Sequence, residues 1–170
     1  MKRNFEAKKP NRVWVSDITY IKTDKGWLYL CIIVDLYSRK IVGWSMSQKI
    51  DTKLVINAFN MAYQNRKPEK WTLIFHSDRG SQYASYAFRK ILKRTKVISS
   101  MSRKGDCYDN ACAESWFGLM KREMLYLLDD DDFEQIKRAV FEYIEVFYNR
   151  QRTHSTINYM TPEEYELQVA

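Results

Sequence analysis

The sequence Leu73-Ile74-Phe75-His76-Ser77-Asp78-Arg79-Gly80-Ser81-Gln82-Tyr83 combines an apolar run, a carboxylate and a glycine within a short stretch. The apolar start is typical of a buried strand, and Gly80 predicts a turn directly after it. Because Asp78 stands where the strand gives way to the turn, we expect its carboxylate at the edge of a sheet.

Four further runs have the composition of strands. Before the stretch, three long β-rich runs are joined by short polar turns, which favours an antiparallel meander. These runs are apolar on both faces, so we expect helices to cover the sheet on both sides. The five predicted strands are Val13 to Ile21, Trp27 to Asp35, Lys40 to Ser47, Trp71 to Ser77 and Lys96 to Met101.

Helical periodicity and capping residues predict the remaining elements. Asp51 is expected to cap the first helix and Asp132 or a neighbour a later one. Thr161-Pro162-Glu163-Glu164 has the composition of a capped helix start. The order predicts an α/β fold with a five-stranded mixed sheet. The predicted helices run from Asp51 to about Asn65, Ser85 to Arg94, about Asn110 to Leu128, Phe133 to Arg150, and onward from Thr161.

The length and composition indicate one globular domain. The chain has 170 residues, 45% of them hydrophobic, and a formal net charge of +7 that would attract polyanions such as nucleic acid. Residues 13–170 are expected to form the core. Residues 1–12 are basic and unpatterned, and we interpret them as an arm, a linker stump or a frayed terminus.

Cysteine usage and hydropathy exclude several classes. Cys31, Cys107 and Cys112 match no zinc-binding spacing, and we expect reduced thiols. No apolar run approaches the roughly 18 residues of a membrane span, and no signal-peptide core begins the chain. We therefore expect a cytoplasmic protein without a membrane partner.

Three acids stand where metal-dependent chemistry would need them. Asp17 interrupts a strand and shares a face with Val13, Val15, Thr19 and Ile21, where an unpartnered carboxylate is costly. Asp78 ends a strand, and Glu114 lies near the start of a helix. Such carboxylates can hold two Mg²⁺ ions, about 3.5–4 Å apart, for phosphoryl transfer. A capping or salt-bridged aspartate is the structural alternative for Asp17.

The helix that contains Glu114 carries a second signal. Lys121 follows seven residues later, within about 20° of the same direction, and Gly118 leaves the stripe between them open. This pattern would suit a metal ion at the acid and a DNA phosphate or base at the cation. The alternative is an ordinary solvent-exposed lysine.

Several residues near the three acids are candidates for DNA contact. Arg79, Arg103 and Lys104 flank the acids in the sequence. His76 points to the same strand face as Asp78 and would meet phosphate or water, with a packed histidine as the alternative. Tryptophans and most tyrosines are expected in the core rather than as base-stacking surfaces.

Six segments of the chain form a recognisable set: Trp14 to Tyr20, Val34 to Trp44, His76 to Tyr83, Gly105 to Ser115, Tyr148 to His154 and Thr161-Pro162. Together they resemble the catalytic domain of bacterial insertion-sequence DDE transposases, of the branch closest to retroviral integrases. The resemblance spans nearly the whole chain. Thirty-five residues lie between Asp78 and Glu114, the spacing expected of this group.

The resemblance implies a ribonuclease-H-like fold with Asp17, Asp78 and Glu114 as the metal-binding triad and Lys121 as the family's basic residue. It implies Mg²⁺ as cofactor, with Mn²⁺ as a substitute and two ions when substrate is bound. The implied reaction frees a 3′-OH at an element end and joins it to target double-stranded DNA. The family also implies a nucleoid-associated homodimer or larger assembly on DNA, and an upstream helix-turn-helix segment that we expect to lie outside an isolated core.

Two alternative functions stay open. A metal-dependent nuclease with the same fold would cleave DNA without joining it. A non-catalytic DNA-binding or assembly module would retain the fold without the chemistry. Joining of a 3′-OH end separates the first alternative from a strand transferase, and metal binding at the triad separates the second.

Overall fold

A computed structural model describes residues 7–101 and 111–168 of the chain. Three consecutive strands are followed by two further strands that alternate with helices, and apart from one short extra helix this is the order predicted by the sequence. No helix within the described ranges is long and apolar enough to cross a membrane. The strands are β1 (Val13–Thr23), β2 (Gly26–Asp35), β3 (Ile41–Ser47), β4 (Ile74–Ser77) and β5 (Ile98–Met101); the helices are α1 (Thr52–Arg66), α2 (Ser81–Ala84), α3 (Tyr86–Thr95), α4 (Ala111–Glu123), α5 (Phe133–Glu142) and α6 (Pro162–Leu167).

The sheet is mixed, in the order β3-β2-β1-β4-β5. The first three strands form the expected antiparallel meander, while β4 and β5 run parallel to β1 and to each other. The β1–β4 ladder is short and ends at the pair formed by Ser16 and Ser77. Beyond Ser16 the strand β1 continues beside β2 alone, so this edge of β1 is open to other elements.

Helices cover both faces of the sheet, as the apolar strands predicted. On one face, Val15 and Ile21 of β1 pack with Ala113 and Phe117 of α4 and with residues of α5. On the other, Trp14 packs with residues of α1 and α3. Successive side chains of a strand point to opposite faces, so Asp17 lies on the face covered by α4.

The predicted helix starts at Asp51, Asp132 and Thr161 are confirmed by their hydrogen bonds. The Asp51 carboxylate accepts from the N–H of Leu54, and the Asp132 carboxylate from that of Gln135. Thr161 and Glu164 form a reciprocal capping box. The acidic run 129–132 thus serves a helix N-terminus, where carboxylates are favoured by the helix dipole.

Strands β4 and β5 are shorter than predicted. Trp71 has a left-handed φ of 65° and donates its N–H to the carbonyl of Lys96, so the chain turns there and β4 begins at Ile74. Lys96 is itself left-handed and closes α3, which moves the start of β5 to Ile98. The short helix α2 was not predicted.

Two helical regions also differ from the predicted ones. The helix of Glu114 ends at Glu123 and is followed by a 3-10 turn at Leu125–Leu127, which leaves Leu127 exposed rather than packed. The helix predicted to reach Arg150 becomes a π-helix over Tyr143–Tyr148. Beyond it, the side chain of Asn149 donates to the carbonyl of Ile41 and accepts from its N–H.

A buried ionic network joins the two ends of the described chain. The Asp35 carboxylate accepts from the N–H of Asn11 at 2.7 Å and lies 3.4 Å from Arg66. Arg66 in turn donates to Glu166 of α6 at 2.6 and 2.8 Å. The N–H of Ile74 also donates to the carbonyl of Arg12. This hydrogen bond and the ionic network hold the end of the predicted basic arm against the core.

Candidate active site

Asp17 lies in the middle of β1, opposite Ile32 of β2. Its side chain is partly exposed, and Oδ1 accepts a hydrogen bond from the N–H of Ile18 at 2.8 Å. The carboxylate shares its sheet face with the apolar residues packed under α4. It therefore sits where the core of that face ends and solvent begins.

Asp78 follows β4 by one residue and is exposed. Because the β1–β4 ladder ends at Ser16 and Ser77, Asp17 and Asp78 are the next residues on two neighbouring parallel strands. The Gly80 N–H donates to Asp78 Oδ1 at 2.8 Å. A Cβ on Gly80 would lie 3.0 Å from that same oxygen, so the turn accommodates the carboxylate because residue 80 has no side chain.

A buried hydroxyl pair lies under this edge of the sheet. Tyr83 of α2 is 1% exposed, and its Oη lies 2.9 Å from Oγ of Ser16, the residue before Asp17. Ser16 Oγ also donates to the carbonyl of Ile32 at 2.8 Å. Cys31 completes the cluster; its burial raises the pKa of the thiol to about 12, so it remains protonated. No local sequence pattern indicates this link between β1 and the turn after Asp78.

Glu114 lies in the first turn of α4 and is exposed. Ala113, Trp116, Phe117 and Met120 of the same helix are buried against the sheet. The helix thus has an apolar face against the sheet, and the predicted stripe with Glu114, Gly118 and Lys121 lies on its other side. A Cβ at Gly118 would meet only the Arg122 guanidinium, at 3.4 Å, so the stripe is open at this position.

Lys121 reaches the open edge of β1. Its Nζ lies 5.9 Å from the ring centroid of Tyr20, and Tyr20 contacts Trp27 edge-on at 5.2 Å. Both rings are well exposed, at 60% and 48%. The expectation that the tryptophans are in the core is therefore wrong for Trp27 and also for Trp71, which is 62% exposed. Tyr20 is an exception that the expectation for most tyrosines allows. An alternation in the sequence indicates this exposure of Tyr20. Tyr20 and Lys22 alternate with Thr19, Ile21 and Thr23, whose side chains are buried.

The other predicted DNA contacts divide into three cases. Arg79 is exposed beside Asp78. His76 is completely buried, with Nδ1 3.0 Å from Oγ of Ser100, so the structure supports the packed-histidine alternative and no DNA contact is proposed for it. Arg103 and Lys104 lie outside the described residues, as do Cys107 and most of the Gly105 to Ser115 segment.

The donor chemistry of the acids suits a hard divalent cation. Asp17 and Asp78 present carboxylate oxygens at adjacent strand positions, and Glu114 stands on the helix that covers the same face. Within residues 7–101 and 111–168, no three His, Cys, Asp or Glu side chains are grouped closely enough to hold a metal ion. The described geometry thus brings two of the three predicted acids together by register.

The chain matches the family model described as Integrase core domain over residues 7–107, and a second model with the same description over residues 114–169. The first match alone covers more than half of the chain. Together they include Asp17, Asp78, Glu114 and Lys121.

Curated relatives extend the similarity over nearly the whole chain. The Escherichia coli (strain K12) transposase InsF for insertion sequence IS3fB is 45% identical over 168 residues, which are 99% of this chain and 58% of that protein. The transposase for insertion sequence element IS904 of Lactococcus lactis is 45% identical over 165 residues, or 95% of this chain and 64% of that protein. The chain therefore spans less than two thirds of the length of these relatives.

Solved structures share the fold at low identity. A simian T-cell lymphotropic virus intasome gives a TM-score of 0.75 at 17% identity over 94% of this chain and 55% of that one. The HTLV-2 integrase catalytic core domain, solved with magnesium in trimeric and dimeric forms, gives 0.72 and 0.70 at 21% identity over 94% of this chain and 99% and 98% of those chains. These neighbours confirm the predicted ribonuclease-H-like fold. The chain belongs to the integrase core domain family, with insertion-sequence transposases among its relatives.

Proposed function

We propose that the chain is the catalytic core of a DNA transposase, which cleaves DNA strands and joins a freed 3′-OH end to target DNA with a divalent metal ion. The observation that carries the proposal is the end of the β1–β4 ladder. There Asp17 and Asp78 follow the Ser16–Ser77 pair as adjacent residues of neighbouring strands. Two carboxylates at this edge suit metal-dependent phosphoryl transfer, a reaction that needs no covalent nucleophile from the protein.

The proposed roles follow from exposure and position. Asp17, Asp78 and Glu114 bind Mg²⁺ or, as a substitute, Mn²⁺, with two ions in the substrate complex. Asp78 is held in orientation by the Gly80 N–H and Asp17 by that of Ile18. Ions bound to these carboxylates would stabilise the negative charge on the transferring phosphate and on the attacking and leaving oxygens.

Residues beside the acids bind the DNA. Lys121 lies on the same stripe of α4 as Glu114, and Arg79 follows Asp78, so both offer positive charge next to the reacting phosphate. Tyr20 and Trp27 add exposed aromatic faces at the open edge of β1, of the kind on which bases stack. Arg103 and Lys104 are proposed as further contacts from their sequence positions.

The proposed substrates are element ends and target duplex, so two DNA segments must meet at the protein. A single core offers one triad, and we propose that two or more copies assemble on paired ends. The integrase cores solved as dimer and trimer make such an assembly plausible in this fold. DNA as substrate also implies action at the bacterial nucleoid.

A joining assay tests the function directly. The chain is incubated with a supercoiled plasmid and a labelled duplex with a recessed 3′-OH, in Mg²⁺ or Mn²⁺, and labelled plasmid is quantified. We expect joined product from the wild type and from Asp129→Asn, an exposed acid of the 129–132 run, and at least a hundredfold less from Asp78→Asn. Because the recognised ends are unknown, the assay uses ends of the related insertion sequences together with random ends.

The nearest rival is a nuclease that cleaves without joining. It predicts nicked plasmid that depends on Asp78 but carries no label. Nicking that is unaffected by Asp78→Asn would exclude both the transferase and the nuclease at this site.

A further inference from the structure

A cavity of about 830 Å³ lies beside α4 but apart from its Glu114 stripe. It opens between the end of β2 and the turn after it, the first turns of α4, and the segment 148–159. Ser115 and Leu119 line it, about 100° to 140° around the helix from Glu114. Its polar lining includes Arg39, Cys112, Ser115, Arg152, Thr156 and His154, and no described lining residue is acidic.

Arg39 brings positive charge to this cavity. Its Nη1 donates to the Cys112 sulfur at 3.1 Å, and no carboxylate in the described ranges lies within 4.0 Å of its guanidinium. A thiol is a weak acceptor and leaves the charge uncompensated. Arg152 differs, because its guanidinium is held by Glu123 at 2.7 and 2.8 Å. Arg39 is therefore the cation with capacity for an anionic ligand.

Two hydrogen-bond donors of lining residues lack a partner. Across the described ranges, three buried side-chain nitrogens have no hydrogen-bond partner, and Trp116 Nε1 and His154 Nε2 are two of them. His154 Nδ1 lies 3.3 Å from Arg152 Nη1, so Nδ1 is the acceptor and Nε2 carries the proton. Burial, together with Arg152, lowers the pKa of His154 to about 4, which keeps the ring in this neutral form. Buried donors are normally satisfied. Both nitrogens are shielded from solvent, so acceptor oxygens would reach them only after the lining side chains shift.

We propose that this cavity binds a phosphate group of a nucleic-acid strand, with Arg39 as its principal cationic contact. The hydroxyls of Ser115 and Thr156, which also line the cavity, supply further donors. A strand is favoured over a free phosphate ion because the cavity is far larger than one phosphate. Tyr159 also lines it, 75% exposed, with a face on which a base can stack.

The proposal rests on the proposed function, since it assumes that DNA reaches this side of α4. It adds a second contact region that the metal-binding acids do not share. A strand held here would be positioned relative to Glu114 by the rigid helix between them.

His154 provides a direct probe, because the chain has only two histidines. The imidazole signals are followed by NMR during titration with a short DNA duplex, a single strand, or inorganic phosphate, and are assigned with a His154→Asn variant. DNA affinity is measured in parallel by fluorescence anisotropy over a range of salt concentrations.

Three variants accompany the wild type. Arg39→Gln keeps the backbone hydrogen bonds of residue 39 to Asp35 and Tyr148. Tyr159→Ala removes the exposed ring, and Arg138→Gln removes one exposed charge elsewhere as the matched control.

We expect DNA to shift the His154 signal and raise its pKa. Arg39→Gln should weaken DNA binding about five- to tenfold and lower the slope of log affinity against log salt by about one, while Arg138→Gln changes affinity less than twofold. Tyr159→Ala should weaken single-strand binding by a similar factor. A His154 signal that responds to inorganic phosphate but not to DNA would overturn the assignment to a strand.

DNA binding with His154 unmoved would overturn the proposal while leaving the transposase function intact. Conversely, DNA could shift the His154 signal although no DNA cleavage depends on Asp78. That result would support binding in this cavity and count against the proposed function. No DNA binding at all would overturn both.

Discussion

The hydroxyl of Tyr83 lies 2.9 Å from the hydroxyl of Ser16, inside the protein and directly before Asp17. Tyr83 belongs to the short helix that follows the turn of Asp78 and Gly80. The hydrogen bond therefore joins the two chain segments that carry the paired acids. Its geometry connects the packing of the core with the position of the candidate catalytic residues.

Tyr83→Phe should cost more in activity than in stability. Ser16 retains its bond to the carbonyl of Ile32, so we expect the free energy of unfolding to fall by about 1 kcal/mol. The loss of the link should loosen the Asp78 turn relative to β1 and lower joining activity several-fold. Urea denaturation and the joining assay measure the two effects. Equal activity in wild type and variant would show that the link does not position the acids.

Gly80→Ala should disturb the Asp78 carboxylate directly. The new Cβ would lie 3.0 Å from Asp78 Oδ1 and 3.0 Å from Gln82 Oε1, closer than carbon and oxygen normally approach. Since φ at Gly80 is −52°, the backbone itself accepts alanine, and stability should change by less than about 1 kcal/mol. We expect about tenfold lower activity, because small misplacements of reacting groups are costly. Ser81→Ala, at the neighbouring exposed residue, is the control and should retain activity.

Gly43→Ala and Gly118→Ala should have opposite effects on stability. At Gly43 a Cβ would come 2.7 Å from Ala62 Cβ and closer still to the Ala58 carbonyl, so α1 must move away from β3. We expect a loss of about 1–3 kcal/mol. Gly118 is helical and has room, so alanine there should add up to about 1 kcal/mol from helix propensity. Thermal unfolding of both variants measures the contrast, and a neutral Gly43→Ala would mean that the helix packs more loosely than described.

Asp35 should make stability fall as pH rises through the weakly acidic range. Burial raises the pKa of Asp35 from 3.8 to about 6, against the opposing effect of its hydrogen bonds and Arg66. The folded state thus binds more protons than the unfolded state between about pH 4 and 6. Protonated Asp35 therefore contributes about 2 to 3 kcal/mol to the free energy of unfolding below pH 4, and this contribution is lost by about pH 6.

The measurement compares wild type with Asp35→Asn by urea unfolding from pH 4 to 7. The wild type should lose stability relative to the variant across this range. The comparison is necessary because His154 acts with the opposite sign: its pKa is lowered to about 4, so its contribution is lost as pH falls below about 6.5. A constant difference between the two proteins would contradict the raised pKa of Asp35.

Much of the fold followed from local sequence patterns. Long β-branched and aromatic runs predicted β1, β2 and β3 nearly to their ends, and the capping residues Asp51, Asp132 and Thr161 marked three helix starts. These features depend on nearest neighbours along the chain, which is why the sequence predicts them. Asp17 and Asp78 occupy adjacent strand positions, and the meeting of all three acids at a metal ion stays a prediction.

The differences arise where distant segments decide the local structure. Trp71 reads as a strand residue but turns because its N–H bonds to Lys96. The π-helix at Tyr143–Tyr148 leads to Asn149, whose side chain bonds to the backbone of Ile41, and no local pattern encodes that contact. The cavity at Arg39 likewise combines residues of the turn after β2, of α4 and of the C-terminal segment. The exposure of Tyr20 was not predicted because it depends on where the strand β4 stops beside β1.

The central claim is that Asp17, Asp78 and Glu114 hold divalent metal on a DNA substrate, and anomalous scattering from Mn²⁺ tests it most directly. Crystals of the protein bound to DNA are soaked in Mn²⁺, in parallel with crystals of Asp78→Asn. We expect an anomalous peak between the carboxylates of Asp17 and Asp78, close enough for Glu114 to contact the ion, and we expect this peak to be lost in the variant. DNA-bound crystals with Mn²⁺ elsewhere and none at these carboxylates would contradict the account.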